Sequence, residues 1–270
     1  MEHPTNLNNQ KITISSYTLR TAAAIGFTVM ALSAFATSAK ANLVFNGSFS
    51  TTTNGGGQLG YNTNAQYWTN DSDGQGGVGY NFIFASGTGD TTGSNGIDGN
   101  VALWGLNNGG IDTLPASSPD GGNYIGDDGA YEVGAIQQTI TGLIVGDKYQ
   151  LGFWWAGAQQ SGFTGTTTEQ WKVTLGTQTQ STAVVTDPSH GFTGWMYQTF
   201  TYTATSATEV LSFLAVGTPV NPSEPPFVLL DGVTLNQDPA VSEPGTRSFM
   251  LGGLGLIGLG AIRSKNRVRR

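Results

Sequence analysis

Between Asn42 and Ala240, the side chains able to do chemistry are six tryptophans, one histidine and sixteen carboxylates, set among glycine, threonine and asparagine. Cysteine is absent from the whole chain, which excludes a thiolate nucleophile, a disulfide framework and a cysteine-ligated metal. The histidine of this stretch, His190 in "TDPSHGF", would need a nucleophile and an orienting acid to act as a triad base, and the pattern supplies neither. It reads as a surface loop residue. A glycosidase needs only two carboxylates at a suitable separation. Most acids here sit in Asp-Gly and Asn-Asp contexts, where a short carboxylate forms a turn, and Glu169 and Glu209 stand at strand entrances. No residue is assigned a catalytic role.

Oxygen-ligated cation chemistry has a better claim. In "NDSDGQGG", Asp71 and Asp73 stand one residue apart before glycine, and "GDDGAYE" adds Asp127, Asp128 and Glu132. Calcium favours such loops, although no Glu follows at the EF-hand spacing. Solvated turn acids are the plainer reading of the same residues. Tryptophan offers a different chemistry, because an exposed aromatic face can stack on a sugar ring while Asn, Gln and Asp hydrogen-bond its hydroxyls. In "FWWA", Trp155 shares a strand face with Phe153 and Leu151 and is expected in the core. Trp154 shares the other face with Gln150 and Gly152, which makes it the candidate sugar contact. Trp68, beside Tyr67 in a polar loop, is the second.

The elements that must position these residues are strands. Glycine numbers 40 and charged residues make up 11% of the chain, while 10% aromatics are enough for a packed core. "NLVFNGSF", "YNFIF" and "VALW" read as short strands between long turns. "GAIQQTI", "KYQLGFWWA", "EQWKVTL", "QSTAVV", "WMYQTFTYT", "TEVLSFLAV" and "FVLLDGVTL" follow at strand-and-turn intervals. Met196, Phe200 and Tyr202 share one face by period two, opposite Trp195 and Tyr197. No helix is expected in this body, and about ten antiparallel strands predict an all-β sandwich or jelly roll over residues 42–236. Its only cations are Lys148 and Lys172 against sixteen acids, so a phosphate backbone would be repelled and nucleic-acid binding is excluded.

The two ends have a different character. Lys11 and Arg20 precede the apolar run Thr21–Ala36, and Ala39 and Ala41 form a small-residue cleavage site. Residues 1–41 therefore read as a signal peptide, cut between Ala41 and Asn42 by signal peptidase after Sec export. Residues 237–247 read as a linker and 248–262 as a short transmembrane helix. The fourteen uncharged residues Phe249–Ile262 would span roughly 21 Å as a helix, against the ~30 Å hydrocarbon core of a bilayer. Arg247 can snorkel at the outer interface, and Arg263, Lys265, Arg267, Arg269 and Arg270 form a basic cytoplasmic stop over residues 263–270.

"SEPGT" (Ser242–Thr246), then a glycine- and leucine-rich apolar run, then an arginine cluster resembles the PEP-CTERM sorting signal of Gram-negative bacteria. Glu243, Pro244 and Gly245 carry the motif, and Ser242 stands where the family has its first proline. The resemblance implies an exosortase as partner, transient inner-membrane anchoring, and delivery to the cell surface or to an exopolysaccharide-rich biofilm matrix. The body, from "NLVFNGSF" through "QQTITGLIVGDKYQLGFWWA" to "FVLLDGVTL", resembles the galactose-binding-like jelly rolls of carbohydrate-binding modules. That resemblance implies a fold, which alone gives no ligand, and extracellular polysaccharide is the partner that Trp154 and Trp68 would suit. The resemblance also implies a structural calcium held partly by Asp231, with Ser50 where the family's other acid would stand. The leading expectation is a non-enzymatic structural or carbohydrate-associated protein. The alternative is a carbohydrate-active enzyme or an accessory module of one.

Overall fold

The computed structural model describes residues 41–71, 77–219 and 224–238. The expected signal segment up to Lys40, Asp73, the sorting motif Glu243–Gly245, the apolar run and the basic tail lie outside these residues.

Fourteen strands form the body: β1 (Gly57–Gln58), β2 (Thr69–Asp71), β3 (Asn81–Phe84), β4 (Ser94–Gly96), β5 (Gly99–Val101), β6 (Tyr124–Asp128), β7 (Ala135–Thr141), β8 (Lys148–Gln159), β9 (Thr167–Leu175), β10 (Gln178–Ser181), β11 (Val185–Asp187), β12 (Met196–Thr203), β13 (Thr208–Thr218) and β14 (Pro226–Gln237). They pair antiparallel into two main sheets. The first runs β1-β3-β6-β14-β8-β12 and the second β10-β9-β13-β7-β2, with β11 added beside β9 and β4-β5 a separate hairpin. Among the described residues there is no α-helix, and no helix long and apolar enough to cross a membrane. The expected all-β antiparallel sandwich is what forms.

Period-two patterning explains the main core. Leu151, Phe153 and Trp155 from β8, Trp171, Val173 and Leu175 from β9, and Leu211 and Phe213 from β13 all point between the sheets. Phe200 and Tyr202 of β12 join them, Met196 packs alongside, and Tyr197 faces solvent, as the alternation predicts. Trp171 ties the layers together by donating its indole N–H to the Leu229 carbonyl of β14 at 2.9 Å.

The first sheet is buried on its other face as well. Residues 85–123, which carry the β4-β5 hairpin, fold over Phe82, Phe84, Tyr124, Ala156, Ala158, Phe227 and Leu229, and contribute Val101, Leu103 and Leu114 to a second apolar layer. This is why β3 and β6 are buried at every position rather than at alternate ones.

Three local expectations are corrected. "NLVFNGSF" is not a strand, because Asn46 (φ 51°) and Phe49 (φ 50°) turn into the left-handed region. The segment is instead tied to β14 by Leu43 N–H donating to the Leu235 carbonyl, and it drops Val44 and Phe49 into the core. "QSTAVV" breaks into β10 and β11, both paired to β9. Glu169 lies within β9 rather than at its entrance, pointing inward. In β14 the register shifts between Asp231 and Thr234, where Gly232 takes φ 60°. The extra residue of this bulge lets both Leu230 and Val233 face the main core.

Candidate functional site

Along the outer face of β8 the side chains change in kind. Gln150, Gly152 and Trp154 come first, Ala156 and Ala158 lie under the covering loops, and Gln160 follows just past the strand end. Gln160 enters a pocket of about 240 Å³ lined also by Tyr80, Asp98, Asp128, Tyr131, Phe163 and Pro225.

Two tyrosines form one wall. Tyr80 and Tyr131 meet edge to face with ring centroids 5.2 Å apart, and Tyr131 is 40% exposed. Tyr80 is held from behind by Phe82 at 4.8 Å, and its hydroxyl hydrogen-bonds the Gln160 side chain. Burial pushes that phenol up to about 12, so it remains a neutral donor and acceptor. Phe163 is placed by its loop, whose carbonyl accepts a hydrogen bond from the Trp104 indole at 2.8 Å. Asp98 comes from the tip of the β4-β5 hairpin.

Asp128, the last residue of β6, supplies the strongest acceptor. One carboxylate oxygen receives the Ala130 and Tyr131 backbone N–H groups at 2.8 and 3.1 Å, the turn-forming use expected of an Asp before Gly. The other oxygen is buried with no hydrogen-bond partner. Burial pushes the carboxyl up to about 7, and the two backbone N–H groups work against that rise. Aromatic walls with an amide and carboxylates among the lining residues suit a small polyhydroxylated ring. The volume is below the ~300–1,000 Å³ typical of drug-sized ligands and fits a single sugar residue.

The residues expected to bind sugar have separate fates. Trp68 is corrected. It is 4% exposed, with its ring 5.1 Å from Phe49 and its indole N–H donating to the Asn46 carbonyl at 3.0 Å, so it cannot present a face to a ligand. Its neighbour Tyr67 is the exposed member of the pair and stacks on Phe45 at 5.1 Å. Trp154 is half-buried on the open part of the outer face, 5.1 Å from the exposed Tyr197 ring. Trp155 lies in the core, 3% exposed.

Asp231, the expected calcium ligand, faces Trp154 across the β8-β14 ladder and is fully buried. Ser118 of the covering loop donates its hydroxyl to it at 2.5 Å. Burial raises its carboxyl to about 7, the Ser118 and Gly232 hydrogen bonds oppose the rise, and nearby Asp120 adds to it. Ser50 is exposed and hydrogen-bonds the Ser48 carbonyl. Among the described residues no three His, Cys, Asp or Glu side chains converge as a metal cage. Asp71 is exposed and accepts from Gln137 at 3.3 Å. His190 is not a free surface residue, since it packs on Trp104 at 4.1 Å with Nε2 buried and unpartnered. Sequence reasoning missed Tyr80, Tyr131, Gln160 and Phe163 as a group, because they come from three distant segments. The one visible signal was the tyrosine inside "GDDGAYE".

An antiparallel β-sandwich with an aromatic, acid-lined pocket at one end of its covered sheet is the class that fold and site define. No family model matches the chain, and no curated protein matches it. Among solved structures it is similar to TmCBM61 in complex with β-1,4-galactotriose, at 14% identity and TM-score 0.41 over 73% of this chain and 99% of that one. It is also similar to the CBM22-1 xylan-binding domain from Paenibacillus barcinonensis Xyn10C (12%, TM-score 0.36, 75% and 98%). A third is a sugar-binding protein, so described only provisionally, from Bacteroides thetaiotaomicron (14%, TM-score 0.35, 73% and 100%). Likenesses at these scores assign no ligand and no activity.

Proposed function

We propose that this protein is an exported, non-catalytic carbohydrate-binding β-sandwich, carried to the cell surface or extracellular matrix by an exosortase-type sorting system. The observation that carries the binding reading is the pocket between Tyr80, Tyr131 and Phe163, where the polar residues Asp98, Asp128 and Gln160 stand among aromatic rings. Sugar hydroxyls would hydrogen-bond Asp98 and Gln160, and an apolar sugar face would cover the exposed Tyr131 ring. The open Trp154–Tyr197 pair on the same sheet is a second stacking surface for a longer chain.

The test is a polysaccharide array read for binding and for reducing-sugar release together. Binding without release is expected. Tyr131→Ala should weaken it about tenfold or more, the loss of roughly 1.4 kcal/mol of contact, with an unchanged melting temperature. Trp154→Ala should matter only for oligosaccharides. Sugar release above background, or binding indifferent to Tyr131, overturns the reading.

Export and sorting rest on the terminal sequences. Asn42 belongs to the described body, where its side-chain oxygen accepts the Leu235 backbone N–H at 2.9 Å. Mass measurement of protein released from the native host should find Asn42 as the first residue and the tail after Gly245 removed. Glu243→Ala with Pro244→Ala should instead leave uncut protein in the inner membrane. Wild-type protein that keeps Arg270 in the inner membrane would mean a simple tail anchor.

A further inference from the structure

Apart from the pocket and from Asp231, the interior holds a pair of acids that nothing in the carbohydrate reading uses. Glu169 of β9 and Asp187 of β11 are both fully buried. The ladder places Val185 opposite Glu169 and Asp187 opposite Thr167, so both carboxylates and the Thr167 hydroxyl share one face. It is the face of Trp171, directed between the two sheets.

By strict geometry none of the four buried carboxylate oxygens has a hydrogen bond, although Thr167 lies near enough to Glu169 to oppose the burial-driven rise of its carboxyl. Two glycines let the carboxylates pack close against backbone. Glu169 lies against Gly157 of β8, where a Cβ would come within 2.8 Å of Oε2, and Asp187 lies against Gly191, where a Cβ would come within 2.5 Å of Oδ1. No cation faces the pair from any packed element. The two lysines of the body are exposed, on β8 and β9, and the charges felt by the pair are acidic, Asp187 acting on Glu169 and Asp112 on Asp187.

We propose that Glu169 and Asp187 hold a divalent cation of the calcium class between the sheets. Two buried carboxylates with no positive partner are strongly destabilising as they stand. Protonation is the competing way to remove that charge. A hard cation satisfies both carboxylates together, since calcium takes six to eight oxygen ligands and accepts carboxylates in bidentate mode. The Thr167 hydroxyl is a further oxygen on the same face. Magnesium is the poorer fit, because it keeps several waters and requires a near-ideal octahedron. The site differs from the expected one at Asp231, whose carboxylate is already engaged by Ser118. It stands independently of the sugar reading.

The experiment uses the mature chain stripped with chelator, titrated with calcium chloride and, separately, magnesium chloride. Calcium is expected to raise the melting temperature saturably, with one ion per chain by calorimetry, and magnesium to do so far less. Glu169→Gln and Asp187→Asn should each abolish the shift, while Asp231→Asn keeps it. Both variants are near-isosteric and remove buried charge, so they should fold. A second readout needs no variant: terbium bound beside Trp171 should show indole-sensitised emission that calcium displaces. A calcium-indifferent melt without sensitised emission overturns the site. So does a calcium shift that survives in both Glu169→Gln and Asp187→Asn.

Discussion

The melting temperature, measured in chelator, is expected to fall by about 10 °C between pH 5 and pH 8, the equivalent of roughly 3–5 kcal/mol for a domain of this size. Asp127 and Asp128, adjacent at the end of β6, contribute to this fall together with Asp231, Glu169 and Asp187, whose carboxyls burial also raises. Asp127 is fully buried, both its oxygens lack partners, and burial followed by the Asp128 charge holds its carboxyl well above the ordinary range. Asp128 is raised to about 7. Asn81 of β3 stands opposite Asp127 on one side and Val228 of β14 on the other, so no cation offsets either charge.

The sign follows from proton binding. Both native pKa values exceed the unfolded value near 4, so between about pH 4 and 7 the native state binds more protons than the unfolded chain. Stability from this source is complete below about pH 4 and is lost as pH rises through the native values. Each fully responding group contributes about 1.4 kcal/mol per pH unit, less where the pair releases its protons as a unit. Asp127→Asn should make the slope shallower and raise the melting temperature at pH 8. A flat or rising profile in wild-type protein would show that these acids are solvated.

Trp171→Ala is expected to cost about 3–5 kcal/mol from the cavity alone, a large share of the roughly 5–15 kcal/mol of an ordinary domain. The indole is fully buried at the centre of β9, edge-on to Phe213 with centroids 5.8 Å apart. Its N–H is the direct link from the second sheet to the Leu229 carbonyl of the first. Trp171→Phe separates the two contributions. It keeps most of the apolar contact and leaves that carbonyl without its indole donor, which should cost about 1–3 kcal/mol. Urea denaturation of both variants measures the difference. Equal stability of Trp171→Phe and wild type would mean that the inter-sheet hydrogen bond contributes nothing.

The strands of this protein could be read from its residues because alternation is a local property. Leu151, Phe153 and Trp155 mark a core face within one segment, and the same count of two sends Trp154 outward with Gln150 and Gly152. The acidic body and the basic ends are equally local, being simple facts of order along the chain. Trp68 could not be read this way. Its burial depends on Asn46 and Phe49 arriving from a segment some twenty residues earlier, while Tyr67 beside it is the residue left exposed. The acids failed for the same reason. Asp127 and Asp128 in "GDDGAYE" have the composition of a solvated turn, and Glu169 begins what looks like an ordinary strand. Whether a carboxylate meets water or another sheet is decided by what packs across from it, and residues 85–123 and β11 are placed by long-range pairing that no short window contains. The chain by itself therefore determined which residues form strands and which way most of them face. Only the tertiary structure decided which acids lose their water, because desolvation is set by neighbours in space and not by neighbours in sequence.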